Sequence, residues 1–107
     1  MKLIIAIISN EDSSVLMKAL IKQKYFVTKL SSSGGFLKRG NVTLMIGAHD
    51  EEIDDIIAII SDFSKTRKEF VPTSIIHEFG TTPSLPFEVT VGGATLFIVD
   101  VEKFIKL

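Results

Sequence analysis

The hydrophobic and polar positions of this chain fall into blocks that repeat every two residues or about every 3.6. Leu3 to Ile8 is an unbroken apolar run between polar flanks, the pattern of a central strand buried on both faces. Ser9, with Asp12 three residues later, reads as a capping-box-like helix start, and Val15, Leu16, Ala19 and Leu20 recur at helical spacing up to about Lys24. Tyr25 to Leu30 returns to strand character. Asn41 to Gly47 alternates, with Val42, Leu44 and Ile46 on one face and Asn41, Thr43, Met45 and Gly47 on the other. Asp50 is suited to cap a second helix whose apolar stripe is Ile53, Ile56, Ile57, Ile60 and Phe63. Thr66 to Pro86 holds all three prolines and no clean periodicity. Phe87 to Val91 is a candidate extra strand, and a final strand over roughly Ala94 to Val101 follows the Gly92-Gly93 pair.

The order β-α-β-β-α-β, with additions, predicts an α+β fold of the ferredoxin-like kind: an antiparallel sheet with two helices on one face. The other face is left bare, yet it is not polar. Phe26, Thr28 and Leu30 share one side of their strand, and Leu96 and Ile98 oppose Phe97 and Val99 in the last one. Both sides of the sheet are thus apolar, and a monomer would expose a patch larger than soluble proteins normally carry. A homo-oligomer closing sheet against sheet is expected.

Composition narrows the picture further. The 107 residues, 46% hydrophobic and 23% charged, predict one ordered domain over residues 1–107. A formal net charge of -1 gives no global basic field of the kind nucleic acid polymers require. There is no cysteine, which removes disulfides, thiolate metal sites and thiol chemistry. No apolar run approaches the ~20 residues of a membrane span, and the opening stretch is too short for a signal peptide. A cytoplasmic protein is the expectation.

The candidate chemistry sits in Val27 to Gly47, where two strands are joined by a loop that is longer than a tight hairpin needs. That loop carries Gly34, Gly35, Phe36, Lys38, Arg39 and Gly40, a composition suited to a ligand with flat rings and negative charge. The sequences Val27-Thr28-Lys29-Leu30, Gly34-Gly35-Phe36-Leu37-Lys38, Gly40-Asn41, Gly47 and Val89-Thr90-Val91-Gly92-Gly93-Ala94-Thr95 together resemble the cyclic di-AMP receptor branch of the PII-like signal-transduction proteins. The resemblance spans nearly the whole chain with the same spacing. It implies a ferredoxin-like homotrimer, cytoplasmic and without catalytic activity, that binds one cyclic di-AMP in each of three clefts between subunits. It also matches Ser31 to Gly40 to the family's T-loop and Thr66 to Pro86 to its enlarged B-loop. The positions matching the family's cleft are Thr28, Gly35, Phe36, Leu37, Asn41 and Gly47. No cofactor or metal is implied.

The residue chemistry agrees with that role. Phe36 can stack on an adenine, worth on the order of 1–3 kcal/mol per base. Gly34 and Gly35 let backbone N–H groups approach a phosphate or base edge. The Asn41 amide offers a donor and an acceptor to an adenine edge. One position departs: Phe26 stands where the family usually has arginine, so Lys29, Lys38 or Arg39 would have to supply the charge. Plainer readings stand beside these. Phe36 also suits a hydrophobic plug on its own subunit, Gly34-Gly35 a turn, Lys38-Arg39 a solvated loop tip, and Gly92-Gly93 a tight bend.

Catalysis finds no support in the pattern. Asp50, Glu51, Glu52, Asp54 and Asp55 crowd the start of a helix, where its dipole favours acids. His49 and His77 lack ligand spacing, and Ser31 to Ser33 has no base partner. Two functions remain: a cyclic di-AMP receptor that changes its interactions with a protein partner, or a PII-like interaction protein that binds ATP, ADP or no nucleotide.

Overall fold

A computed structural model describes residues 1–30, 40–71 and 87–107. The even positions of the first strand do what their apolar character dictates. Strand β1 (Lys2–Ser9) buries Ile4, Ala6 and Ile8 completely or nearly so, and it lies at the centre of a four-stranded antiparallel sheet. Its neighbours are β3 (Asn41–Ala48), which buries Leu44, Ile46 and Ala48, and β6 (Ala94–Asp100), while β2 (Phe26–Leu30) forms the edge beyond β3. The order β2-β3-β1-β6, with helices α1 (Asn10–Lys22) and α2 (Ile53–Ser64) between them in sequence, is the expected α+β ferredoxin-like arrangement.

Ile4 pairs with Ile46 on one side and Ile98 on the other, so a one-residue slip would turn every buried side chain outward. Leu16 and Leu20 of α1 and Ile56 and Ile60 of α2 complete the core against these strands. The opposite face of β1 is different from the expectation of burial on both sides: Leu3, Ile5 and Ile7 are only half-buried. Both helices lie on the other side.

The helix ends show where local chemistry departs from pattern. Ser9 caps α1, its Oγ accepting from the Asp12 N–H at 3.2 Å, but the Asp12 carboxylate does not complete a capping box. It turns instead to Arg67, whose two terminal nitrogens reach it at 2.9 and 3.3 Å. On α1, Val15 is exposed, and Asp12 and Ser13 lie on the inner side with Leu16 and Leu20. Asp50 does not cap α2. Residues Asp50–Glu52 form one turn of 3-10 helix first, and the Glu52 carboxylate accepts from the His49 N–H at 2.9 Å. Phe63 points outward at 40% exposure, while Ser64 closes the inner stripe by donating to the Ile60 carbonyl.

Part of the segment expected to be a loop is a strand. β4 (Arg67–Val71) pairs antiparallel with β5 (Phe87–Val91) as a separate two-stranded ribbon, and residues 72–86 lie outside the described residues. Gly92 and Gly93, at φ +85° and +82°, make the bend that returns the chain to β6. A Cβ at Gly92 would collide with the Lys65 carbonyl, so only glycine fits.

The Arg67–Asp12 pair ties this ribbon to the start of α1. Arg67 holds the Asp12 carboxyl below its usual range, with the Ser9 hydroxyl acting in the same direction. Such a depressed acid adds stability that is complete above the ordinary carboxylate pKa and is lost as pH falls through the lower folded value. Asp12→Asn is therefore expected to lower Tm by several degrees at pH 7, with the gap to wild type closing below about pH 3.5. Thermal melts across that range check it, and a gap independent of pH would deny the pair this role.

Candidate functional site

The β2–β3 register decides which side chains meet on the open face. Phe26 pairs with Gly47, Thr28 with Met45 and Leu30 with Thr43, so all six face away from the helices. Gly47 has no side chain, and a Cβ built on it would meet nothing within 4 Å. Its glycine is therefore not required by packing among the described residues. Opposite it, Phe26 is 81% exposed. This pair floors a cavity of about 830 Å³ that also takes in Thr28, Met45, Tyr25 and, from the C-terminal segment, Phe104.

Lys24 and Glu52 bring charge to this largely apolar hollow. Lys24 follows the C-cap of α1 in a Schellman turn: its N–H reaches the Ile21 carbonyl at 2.8 Å, and the Tyr25 N–H reaches Leu20 at 3.1 Å. That turn needs a left-handed residue, and Lys24 supplies it at φ +69°. Tyr25, bordering the same hollow, has its phenol pushed above the ordinary value by desolvation, with the Asp55 and Glu52 carboxylates adding to the effect. It remains a neutral hydrogen-bond donor at pH 7.

The expected site residues do not all come together. Thr28 and Gly47 border the same cavity. Asn41 shares their face of the sheet but lies at the far end of β3, beside a separate cleft of about 300 Å³ with Thr66, Gly92, Gly93 and Thr95. Gly35, Phe36 and Leu37 lie outside the described residues, as do Lys38 and Arg39. Lys29 is not a source of charge for the hollow. It is paired with Leu44 on the helix side, and its Nζ lies 3.4 Å from Asn10 Oδ1.

Lys24, Tyr25 and Phe104 were not legible as site residues. Lys24 falls where the helical spacing stops and strand character begins, and nothing in a lysine marks the left-handed backbone found there. Phe104 carried no signal either, because it comes from a segment without periodicity. Among the described residues, no three His, Cys, Asp or Glu side chains gather as a metal site, and no helix is long and apolar enough to cross a membrane.

Comparison with known proteins gives this face its context. A crystal structure of a functionally unknown protein from Pediococcus pentosaceus ATCC 25745 is similar to this chain, with a TM-score of 0.79 and 38% sequence identity over 99% of this chain and 96% of the other. The sequence model for the cyclic-di-AMP receptor family matches from residue 1 to residue 107, the full length containing the open face, the Phe26–Gly47 hollow and both helices. The chain belongs to the cyclic-di-AMP receptor family.

Proposed function

We propose that this protein is a non-enzymatic, cytoplasmic receptor that works without a cofactor, as a single-domain homotrimer binding cyclic di-AMP in clefts between its subunits. The observation that carries the reading is the hollow at Gly47, open to solvent and not needed for packing among the described residues, with Thr28 beside it. A purine laid there can rest against the bare backbone of β3. Thr28, opposite Met45, stands four residues from Asn41 along β3, about 13 Å at strand spacing. Two bases joined through a phosphodiester ring cover such a span, and a single base does not.

The half-buried Leu3, Ile5 and Ile7, with Phe97 and Val99 at 44% exposure, form the apolar surface on which neighbouring subunits close. Gly35, Phe36 and Leu37 then complete the cleft from their loop. Binding changes the order of residues 31–40 or 66–86 and so the surface offered to a protein partner. Phe26 lowers affinity relative to a cation at that position, since an aromatic ring cannot pair with phosphate.

Isothermal titration with cyclic di-AMP, with ATP and cyclic di-GMP as controls, tests the reading. One ligand per subunit is expected, with binding lost in Phe36→Ala and tightened in Phe26→Arg. A folded oligomer that ignores cyclic di-AMP would move the weight to the second reading, a PII-like interaction protein for ATP, ADP or no nucleotide, which the uncharged Phe26 favours. Unchanged hydrogen exchange in both loops at saturation would sink the partner-switching part.

A further inference from the structure

Lys24 occupies a position that its own backbone argues against. The left-handed residue after a helix C-cap is most often glycine, because a Cβ there is strained, yet φ is +69° at a lysine. Neither of the usual compensations applies. Lys22 already provides the cation that the last turn of α1 favours. The Lys24 amine is in no ion pair or hydrogen bond among the described residues, and its side chain is exposed.

What the position does provide is placement. Lys24, Phe26 and Thr28 are three successive alternate residues, and all three border the same cavity. Glu52, the carboxylate beside that cavity, already accepts from the His49 N–H. A hollow with a largely apolar lining therefore carries, beside the committed Glu52 carboxylate, an uncommitted ammonium on a flexible four-carbon stem, held at its rim by a turn that fixes where the stem begins.

We infer that Lys24 is a ligand-binding residue that pairs with a phosphate of the nucleotide, and that the chain retains a strained lysine there in exchange for this contact. The inference rests on the cyclic di-AMP reading above and adds to it the residue that answers the ligand's negative charge.

Lys24→Gly, Lys24→Arg and, as a control outside the cavity, Lys22→Gln separate the possibilities. Lys24→Gly relieves the left-handed strain, so its Tm is expected to rise by a few degrees while cyclic di-AMP affinity falls about tenfold in low salt. The affinity gap to wild type should narrow as ionic strength rises from about 0.02 to 0.5 M, because a partly exposed ion pair is screened. Lys24→Arg should bind within about threefold of wild type, and Lys22→Gln should match it. Equal affinity of wild type and Lys24→Gly overturns the role of Lys24 and leaves the receptor reading standing. A loss in Lys24→Gly that does not vary with salt also overturns it, pointing to turn geometry rather than charge. Wild-type protein that does not bind cyclic di-AMP overturns both.

Discussion

Ile4→Ala is expected to lower the free energy of unfolding by about 3 kcal/mol, inside the 2–5 kcal/mol range for truncating a buried isoleucine. Ile4 is fully buried in the central strand, between Ile46 and Ile98 across its two ladders. Its side chain meets the helix layer as well, so the space it leaves is bounded by elements that cannot all move inward together. The loss comprises the transfer of the removed methyl and methylene groups and the unfilled volume left behind. Urea unfolding at fixed protein concentration measures it, the fixed concentration being needed because the proposed self-association would shift apparent stability. Ile5→Ala, one residue along and on the open face, is the contrast. Ile5 is only half-buried in one chain, so in the homotrimer proposed above its truncation should affect association more than the fold of one chain. A loss below about 1 kcal/mol at Ile4 would contradict a core built on the even positions of β1.

Gly47→Val is expected to weaken cyclic di-AMP binding at least tenfold, about 1.4 kcal/mol, with no loss of Tm. The two halves of this prediction rest on one observation. A Cβ at Gly47 enters empty space, and a β-branched residue suits a strand, so the fold has no reason to object. The same branch fills the hollow opposite Phe26, where the proposed purine would rest on backbone. Titration and a thermal melt of one variant report both halves. Undiminished affinity would show that the hollow is not the site, whatever the chain binds. A large fall in Tm would instead mean that Gly47 has a packing role that a single subunit does not reveal.

The sheet and the helices were legible because their periodicities are strong. The strict alternation from Asn41 to Gly47 assigned every side chain of β3 to the face on which it stands. The Gly92-Gly93 bend was legible because paired glycines announce a backbone that other residues cannot adopt. β4 was not. Its residues, Arg67 to Val71, carry three charges in a row and no alternation, and the partner that makes them a strand begins sixteen residues further on at β5. The burial of Asp12 was also hidden, because its partner is an arginine 55 positions away. At the candidate site, Thr28 and Gly47 could be placed together from strand parity alone. The contribution of Lys24 could not, since a lysine does not advertise a left-handed backbone.

The alternation in β3 has a consequence for how such a protein can change over time. Leu44, Ile46 and Ala48 hold the helices, while Thr43, Met45 and Gly47 look the other way from the same stretch of backbone. A new side chain at Met45 or Gly47 points away from the layer of isoleucines and leucines beneath, so if the open face is the proposed binding surface, ligand preference can drift by single replacements while each intermediate still folds. On that proposal recognition and architecture are written in alternate letters of one word, and the first set can be respelled without erasing the second.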